Sequence, residues 1–173
     1  MRLTSGLRAG RKLLLPILLL GSLAGCLYGF AGGGLPPSIK TVAVLPFENQ
    51  TAEPTLTAEV NSRVREAVQG RLGLRQASEN QADAVVRGTI TRYEPDLPVA
   101  YQGQEGNTPT VTRRLVQITV SVEILDQHAG KPLWQRSGLQ LEGDYPPGRE
   151  IEGRTKALDK LITNIVEGAQ SQW

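Results

Sequence analysis

The clearest pattern in the chain is an alternation between residues 116 and 124. Val116, Ile118, Val120, Val122 and Ile124 fall on one side, and Gln117, Thr119, Ser121 and Glu123 on the other. Period two over this length predicts a strand with one dry face and one wetter face. Residues 84–93 alternate in the same way, with Val86, Gly88 and Ile90 against Arg87, Thr89 and Thr91. Asp126 to Lys131 is a tight connection in which Gly130 can supply a positive φ. After it, Leu133, Gln135, Ser137, Leu139 and Leu141 are expected to share one face of a further strand, and Trp134, Arg136, Gln140 and Glu142 the opposite one. Lys40 to Phe47 reads differently: a short, continuous, β-branched run closed by proline fits a strand buried on both faces.

Two segments carry the helical period instead. Leu56, Val60, Val64, Ala67 and Val68 recur at spacings of three and four, with Glu59, Arg63, Glu66 and Gln69 on the wet side. Pro54 suits the first turn of this helix, and Gly70 or Gly73 its end. Toward the C-terminus, Ile151, Leu158, Leu161, Ile162, Ile165 and Ala169 form a second stripe. Leu74 to Ala77 suits a short edge strand, Ser78 to Asp83 a turn, and Asp144 to Gly148 a break after the sheet. The order β-α-(β)-β-β-β-α predicts an α+β domain, with two helices on one face of a mixed four- to five-stranded sheet. The first strand is followed by a crossover helix, so part of the sheet is expected to be parallel.

The N-terminus belongs to another category. Arg2, Arg8, Arg11 and Lys12 precede the apolar run Leu13 to Leu20, and small residues follow. That is the layout of a secretory signal peptide, and the run is too short for the roughly 20 residues a bilayer span takes. The segment ends in Leu23-Ala24-Gly25-Cys26, and Cys26 is the chain's single cysteine. Leu-Ala-Gly-Cys resembles the lipobox of bacterial lipoproteins, which implies cleavage before Cys26, a thioether-linked diacylglycerol and acylation of the new amino terminus. Thioether formation would also remove a lone thiol from an oxidising compartment. By the same resemblance to bacterial lipoproteins, Leu27 in place of an aspartate implies sorting to the outer membrane and not retention in the inner one. The expected organisation is a signal peptide at 1–25, an acylated cysteine and Gly-rich tether at 26–38, and one domain at 39–173. The four basic residues before Cys26 exceed the formal net charge of +2, so the mature chain is net acidic.

That charge, with no basic block after Cys26, gives no sign of nucleic-acid binding. His128 is the chain's one histidine and falls in the tight turn. No serine-nucleophile elbow, phosphate loop or zinc-protease motif is present. The expectation is a protein that is not an enzyme, with no metal and no cofactor beyond the lipid on Cys26. The unusual feature is Glu94 to Thr110, a long soft connection of the kind that is usually functional or disordered. It is expected to be partly an extended hairpin, with Val99 to Gln102 as strand. Arg113 and Arg114 stand at its base as a basic pair whose guanidinium forks suit phosphate.

Several stretches together resemble one family. Cys26 and its tether lead into Leu35 to Thr51 (LPPSIKTVAVLPFENQT); Ala82 to Thr91 (ADAVVRGTIT) and Gly130 to Trp134 (GKPLW) follow, before the last helix. These resemble the LPS-assembly lipoproteins of the LptE family. The resemblance implies an outer-membrane lipoprotein that sits as a plug in the lumen of the LPS-translocating β-barrel LptD, assists its assembly and binds LPS. Family members use basic loop residues for LPS, but Glu94–Thr110 holds no Lys or Arg. The candidates for LPS contact are therefore Arg113, Arg114 and Arg149, and Leu97, Val99 and Tyr101 are the candidates for the barrel contact. Thr41 to Asn49 also resembles the first strand of curli-secretion lipoproteins and peptidoglycan-synthase activators, which would make the protein a secretion pore or an enzyme regulator. The lipobox reading makes a direct prediction. The mature protein should begin at Cys26 and carry acyl mass, and Cys26→Ser should leave the protein unacylated, either soluble in the periplasm or uncleaved; an unacylated chain starting elsewhere overturns the reading.

Overall fold

The structure, a computed structural model, describes residues 34–103 and 108–171. The signal segment, Cys26 and the tether up to residue 33 lie outside the described residues, as do 104–107 and 172–173. Six strands and two helices follow one another: β1 (Thr41–Val44), β2 (Glu48–Asn49), α1 (Thr55–Gly70), β3 (Arg75–Gln76), β4 (Ala84–Gln102), β5 (Thr110–Asp126), β6 (Lys131–Tyr145) and α2 (Glu150–Ser171). A 3₁₀ turn, Glu79–Gln81, precedes β4. The sheet runs β3-β1-β4-β5-β6, with β2 also paired to β4. β1 is parallel to β3 and β4, whereas β4–β5 and β5–β6 are antiparallel. This is the mixed α+β sheet the pattern predicts.

Both helices cover one face. Val116, Ile118, Val120, Val122 and Ile124 are buried there with Val86 and Ile90 of β4, Leu56, Val60, Val64 and Val68 of α1, and Leu158, Leu161 and Ile165 of α2. β1 is buried on both faces, as its continuous run predicts: Val42 faces this core, and Ala43 packs with Ala82 and Val85 in a second, smaller cluster. Elsewhere the far face is polar, with Arg87 paired to Glu123 at 2.7 Å and Gln117 donating to Glu142 at 3.2 Å.

Glycines set the contact distances. A Cβ on Gly153 would stand 2.8 Å from the Gly143 carbonyl oxygen and overlap the Tyr145 ring, so the first turns of α2 lie with their backbone against β6. At the other end of α2, Gly168 receives the indole of Trp134, and Gly88 receives the ring of Phe47.

Strict alternation fails in β6. Val120 pairs with Leu139, but Val122 pairs with Arg136, and Gly138 between them has φ of 64°. This bulge inserts one residue and reverses the strand's phase. Arg136 and Trp134 therefore align with the dry row of β5, and Trp134 is buried under α2, not on the face opposite to Leu139 and Leu141. A second irregularity, between Trp134 and Pro132, leaves Leu133 buried as well. Ile151 does not join the α2 stripe; it is 71% exposed, because the backbone of Gly153 takes the contact with β6. The break after the sheet begins at Pro146, since β6 continues through Asp144 and Tyr145.

Two substitutions check this packing. Val120→Asp should unfold the domain, since an unpaired charge would sit at a fully buried position, at a cost of at least several kcal/mol. Gly153→Ala meets backbone that cannot rotate away and should cost about 1–3 kcal/mol. A urea midpoint near wild type for Val120→Asp would show that the face assignment of β5 is wrong, and one for Gly153→Ala that α2 does not meet β6 backbone to backbone.

Candidate functional site

The expected long loop is mostly strand. β4 and β5 stay paired out to Gln102 and Thr110, while β6 stops at Tyr145, opposite Arg114. Beyond that pair, Pro98 to Gln102 and Thr110 to Arg113 form a two-stranded ribbon extending past the sheet, about 15 Å long at the usual strand rise. The register slips between Glu94 and Leu97 and between Pro98 and Ala100, around Pro95 and Pro98, which lack the N–H a ladder needs. Leu97 sits opposite Leu115 and is half-buried. Val99 is 51% exposed and Tyr101, opposite Val111, is 59% exposed.

An isolated two-stranded ribbon is marginal in water, and this one is fastened at its root. The buried Tyr145 hydroxyl lies 2.5 Å from the Pro95 carbonyl oxygen and 3.2 Å from Asp96 Oδ1, its two acceptors. Burial, then the Asp96 carboxylate, pushes the Tyr145 phenol up, so it remains a donor. Arg114 pairs with Asp96, and Arg113 with Asp144. Asp144 also receives Lys156 of α2, whose Nζ donates to its carbonyl at 2.7 Å and to its carboxylate at 3.1 Å. Tyr93 donates to Glu150 Oε1 at 2.6 Å; burial, followed by that hydrogen bond, raises its phenol too. Arg149 pairs with Glu152 in the first turn of α2.

The sequence-predicted residues thus divide. Arg113 and Arg114 lie together at the ribbon root, each holding a carboxylate, and Arg149 sits apart at the helix start. Leu97, Val99 and Tyr101 lie along one strand of the ribbon. Cys26 is outside the described residues. Asp96, Asp144 and Tyr145 organise the root, yet nothing in their sequence neighbourhood marks them, because their partners come from other elements.

Asp83, at the opposite end of the sheet, was equally unmarked. Its carboxylate accepts the amides of Lys40 and Thr41, both at 2.9 Å, and the Thr41 hydroxyl at 2.8 Å, with His128 Nε2 3.2 Å away. The Asp83 amide donates back to the Thr41 hydroxyl at 2.9 Å. These bonds stitch the start of β1 to the start of β4. The Lys40 amide first, then the Thr41 hydroxyl and amide, hold the Asp83 carboxyl well below the usual carboxylate range.

Compared with known protein families, residues 39–169 match LptE, described as Lipopolysaccharide-assembly. The chain belongs to the LptE family. LptE-family membership places it among lipopolysaccharide-assembly lipoproteins, of a type anchored in the cell envelope. No curated protein matches the chain. Solved structures share the fold. Protein XCC0632 from Xanthomonas campestris is 14% identical, with a TM-score of 0.54, covering 80% of this chain and 90% of that one. The uncharacterized lipoprotein B from Nitrosomonas europaea is 12% identical, with a TM-score of 0.50 and coverage of 83% and 88%. At those identities the likeness is one of fold alone.

The Asp83 geometry predicts an acid limb in the stability of this LptE-family domain. A carboxyl depressed by folding contributes fully above the ordinary carboxylate range, and the contribution is lost as pH falls below it. Urea midpoints between about pH 7 and pH 3 should fall less steeply for Asp83→Asn than for wild type. Parallel curves would show that Asp83 is not the group responsible.

Proposed function

We propose that the protein is an outer-membrane lipoprotein, acylated at Cys26, that plugs an LptD-like β-barrel, assists its assembly and contributes to LPS delivery to the cell surface. Cleavage before Cys26 would leave residues 26–38 as tether and 39–173 as the working domain. The observation that carries this reading is the LptE-family match across almost the whole folded domain. The ribbon supports it physically. An exposed Tyr101 and Val99 on a strand pair fastened at its root offer apolar area at low ordering cost, which is what a protein partner needs.

In this reading the ribbon contacts the barrel more than LPS. The carboxylates of the strand that leads into it, Glu94 and Asp96, would repel lipid A phosphates. LPS contact falls to Arg113, Arg114 and Arg149, and there phosphate has to compete with Asp144, Asp96 and Glu152 for the guanidinium groups. No cofactor and no catalytic step enter this role.

Two assays separate the contacts. Shortening Gln102–Asn107 to a tight turn should weaken co-purification of the barrel from detergent-solubilised envelopes and leave LPS binding by the purified protein unchanged. Arg113→Ala with Arg114→Ala should do the reverse, with a loss that shrinks as salt rises. Full recovery of the barrel by the shortened ribbon would move the interface to the polar sheet face. Recovery of a self-assembled ring or a penicillin-binding protein, without a barrel, would overturn the plug role.

A further inference from the structure

We propose that the corner of the domain formed by Lys40, Arg71 and Arg75 docks on the anionic phospholipid headgroups of the membrane that holds the protein. The inference extends the proposed lipid anchor, but its test does not depend on acylation.

The first argument is where the chain enters the domain. Leu35 packs against the core, and the Pro36 carbonyl accepts the Ile39 amide at 2.8 Å. The chain is therefore fixed from Leu35 onward, directly before Lys40 and β1. Eight residues, 27–34, separate it from Cys26. Fully extended, they reach at most about 30 Å. An anchor at Cys26 keeps this end of the sheet close to the headgroup layer, and the β4–β5 ribbon leaves from the opposite end.

The second argument is the charge gathered at that entry. Arg75 opens β3, beside Thr41 in the parallel pairing, and its amide donates to the Lys40 carbonyl at 3.0 Å. Arg71 closes α1, its amide donating to Ala67 at 2.8 Å, and a turn at Gly73 with φ of 67° folds the chain back to β3. Lys40, Arg71 and Arg75 are all exposed, and none of them is in an ion pair among the described residues. Arg63, Arg87, Arg113, Arg114, Arg149 and Arg154, by contrast, each hold a carboxylate.

Nearest the chain entry the acidic groups are Glu79, Asp83 and Asp126; Glu66, on the flank of α1 toward Gln76, accepts the Ser62 hydroxyl at 2.9 Å. Asp83 is turned onto the amides of Lys40 and Thr41, and Asp126 onto those of His128 and Ala129 at 2.8 and 2.9 Å, so two of the three are committed to backbone donors. The outward-pointing charge beside the chain entry is positive. A polybasic surface near an anionic leaflet gains roughly five-fold in partitioning for each Lys or Arg that reaches it.

The experiment uses the whole mature chain as Cys26→Ser, so that no acyl group holds it, and co-sedimentation with vesicles of phosphatidylcholine alone or with about a third phosphatidylglycerol. The protein should partition to the mixed vesicles and not to the neutral ones, and lose this at high salt. Lys40→Gln, Arg71→Gln and Arg75→Gln together should lower partitioning roughly a hundred-fold. A control with the same change in charge, Arg92→Gln, Arg136→Gln and Lys160→Gln, removes exposed cations from other elements and should lower it several-fold at most. Circular dichroism and urea midpoints verify that both triple variants are folded. Equal loss in the two triple variants, or wild-type binding that ignores phosphatidylglycerol, overturns the proposal. Failure of the anchor itself would appear elsewhere, as wild-type protein lacking acyl mass.

Discussion

Five side chains of β5, from Val116 to Ile124, run through the one core that both helices close, and the rest of the domain takes its place from that stripe. A sheet covered on one face can bury one row of each strand, so α2 lies flat on β5 and β6 while α1 lies over β1, β2 and β3. The glycine contacts allow this. Where Gly143 meets Gly153, helix and strand approach backbone to backbone, and where Gly88 meets Phe47 and Gly168 meets Trp134, an aromatic ring fills the space a Cβ would take. The buried Asn61 side chain accepts the Phe47 amide at 3.1 Å, so the kink that carries Phe47 leaves no orphaned donor. The far face, laid with threonine, serine, glutamine and paired charges, stays solvated without a second layer.

The same economy governs the ribbon. Exposed ion pairs contribute little each, commonly below about 1 kcal/mol. The Arg113–Asp144 and Arg114–Asp96 contacts therefore orient the root more than they stabilise it. The firmer hold is the buried Tyr145 ring, which belongs to the core and presents its hydroxyl to the Pro95 carbonyl. Beyond that point the two strands have only each other. At the sheet margins the opposite problem is solved: β3 is two residues long and opens with Arg75, and β6 is broken by the Gly138 bulge, so neither edge offers a long regular ladder to another chain.

The sequence made the architecture legible because its signals are periodic and local. The β5 alternation, the two helical stripes and the continuous β1 run each state their own burial. What it hid depends on single residues whose effect is decided at a distance. Gly138 looks like any glycine in a strand, yet its positive φ reverses the phase of β6 and sends Trp134 inward. Ile151 fits a helical stripe, but whether the stripe or the Gly153 backbone meets the sheet is settled by packing. The 94–110 segment reads as loop because proline and glycine suppress strand propensity, while the ladder across to Thr110–Arg114 keeps residues 97–102 extended. The candidate site was half visible: Arg113, Arg114 and Tyr101 stand out by type, whereas Asp96, Asp144 and Tyr145 acquire meaning only when three elements meet. Asp83 is the same case at the other end of the sheet.

The inward turn of Trp134 also gives the protein a built-in optical probe. Its indole is 5% exposed and lies against Gly168, near the C-terminal end of α2, while the other tryptophan, Trp173, lies outside the described residues and can be replaced by phenylalanine. The emission of the remaining indole then reports one event, the seating of the last helix on the sheet. A blue-shifted, iodide-resistant spectrum marks the helix in place, and a red shift ahead of global unfolding marks its departure, in free protein and in complex alike.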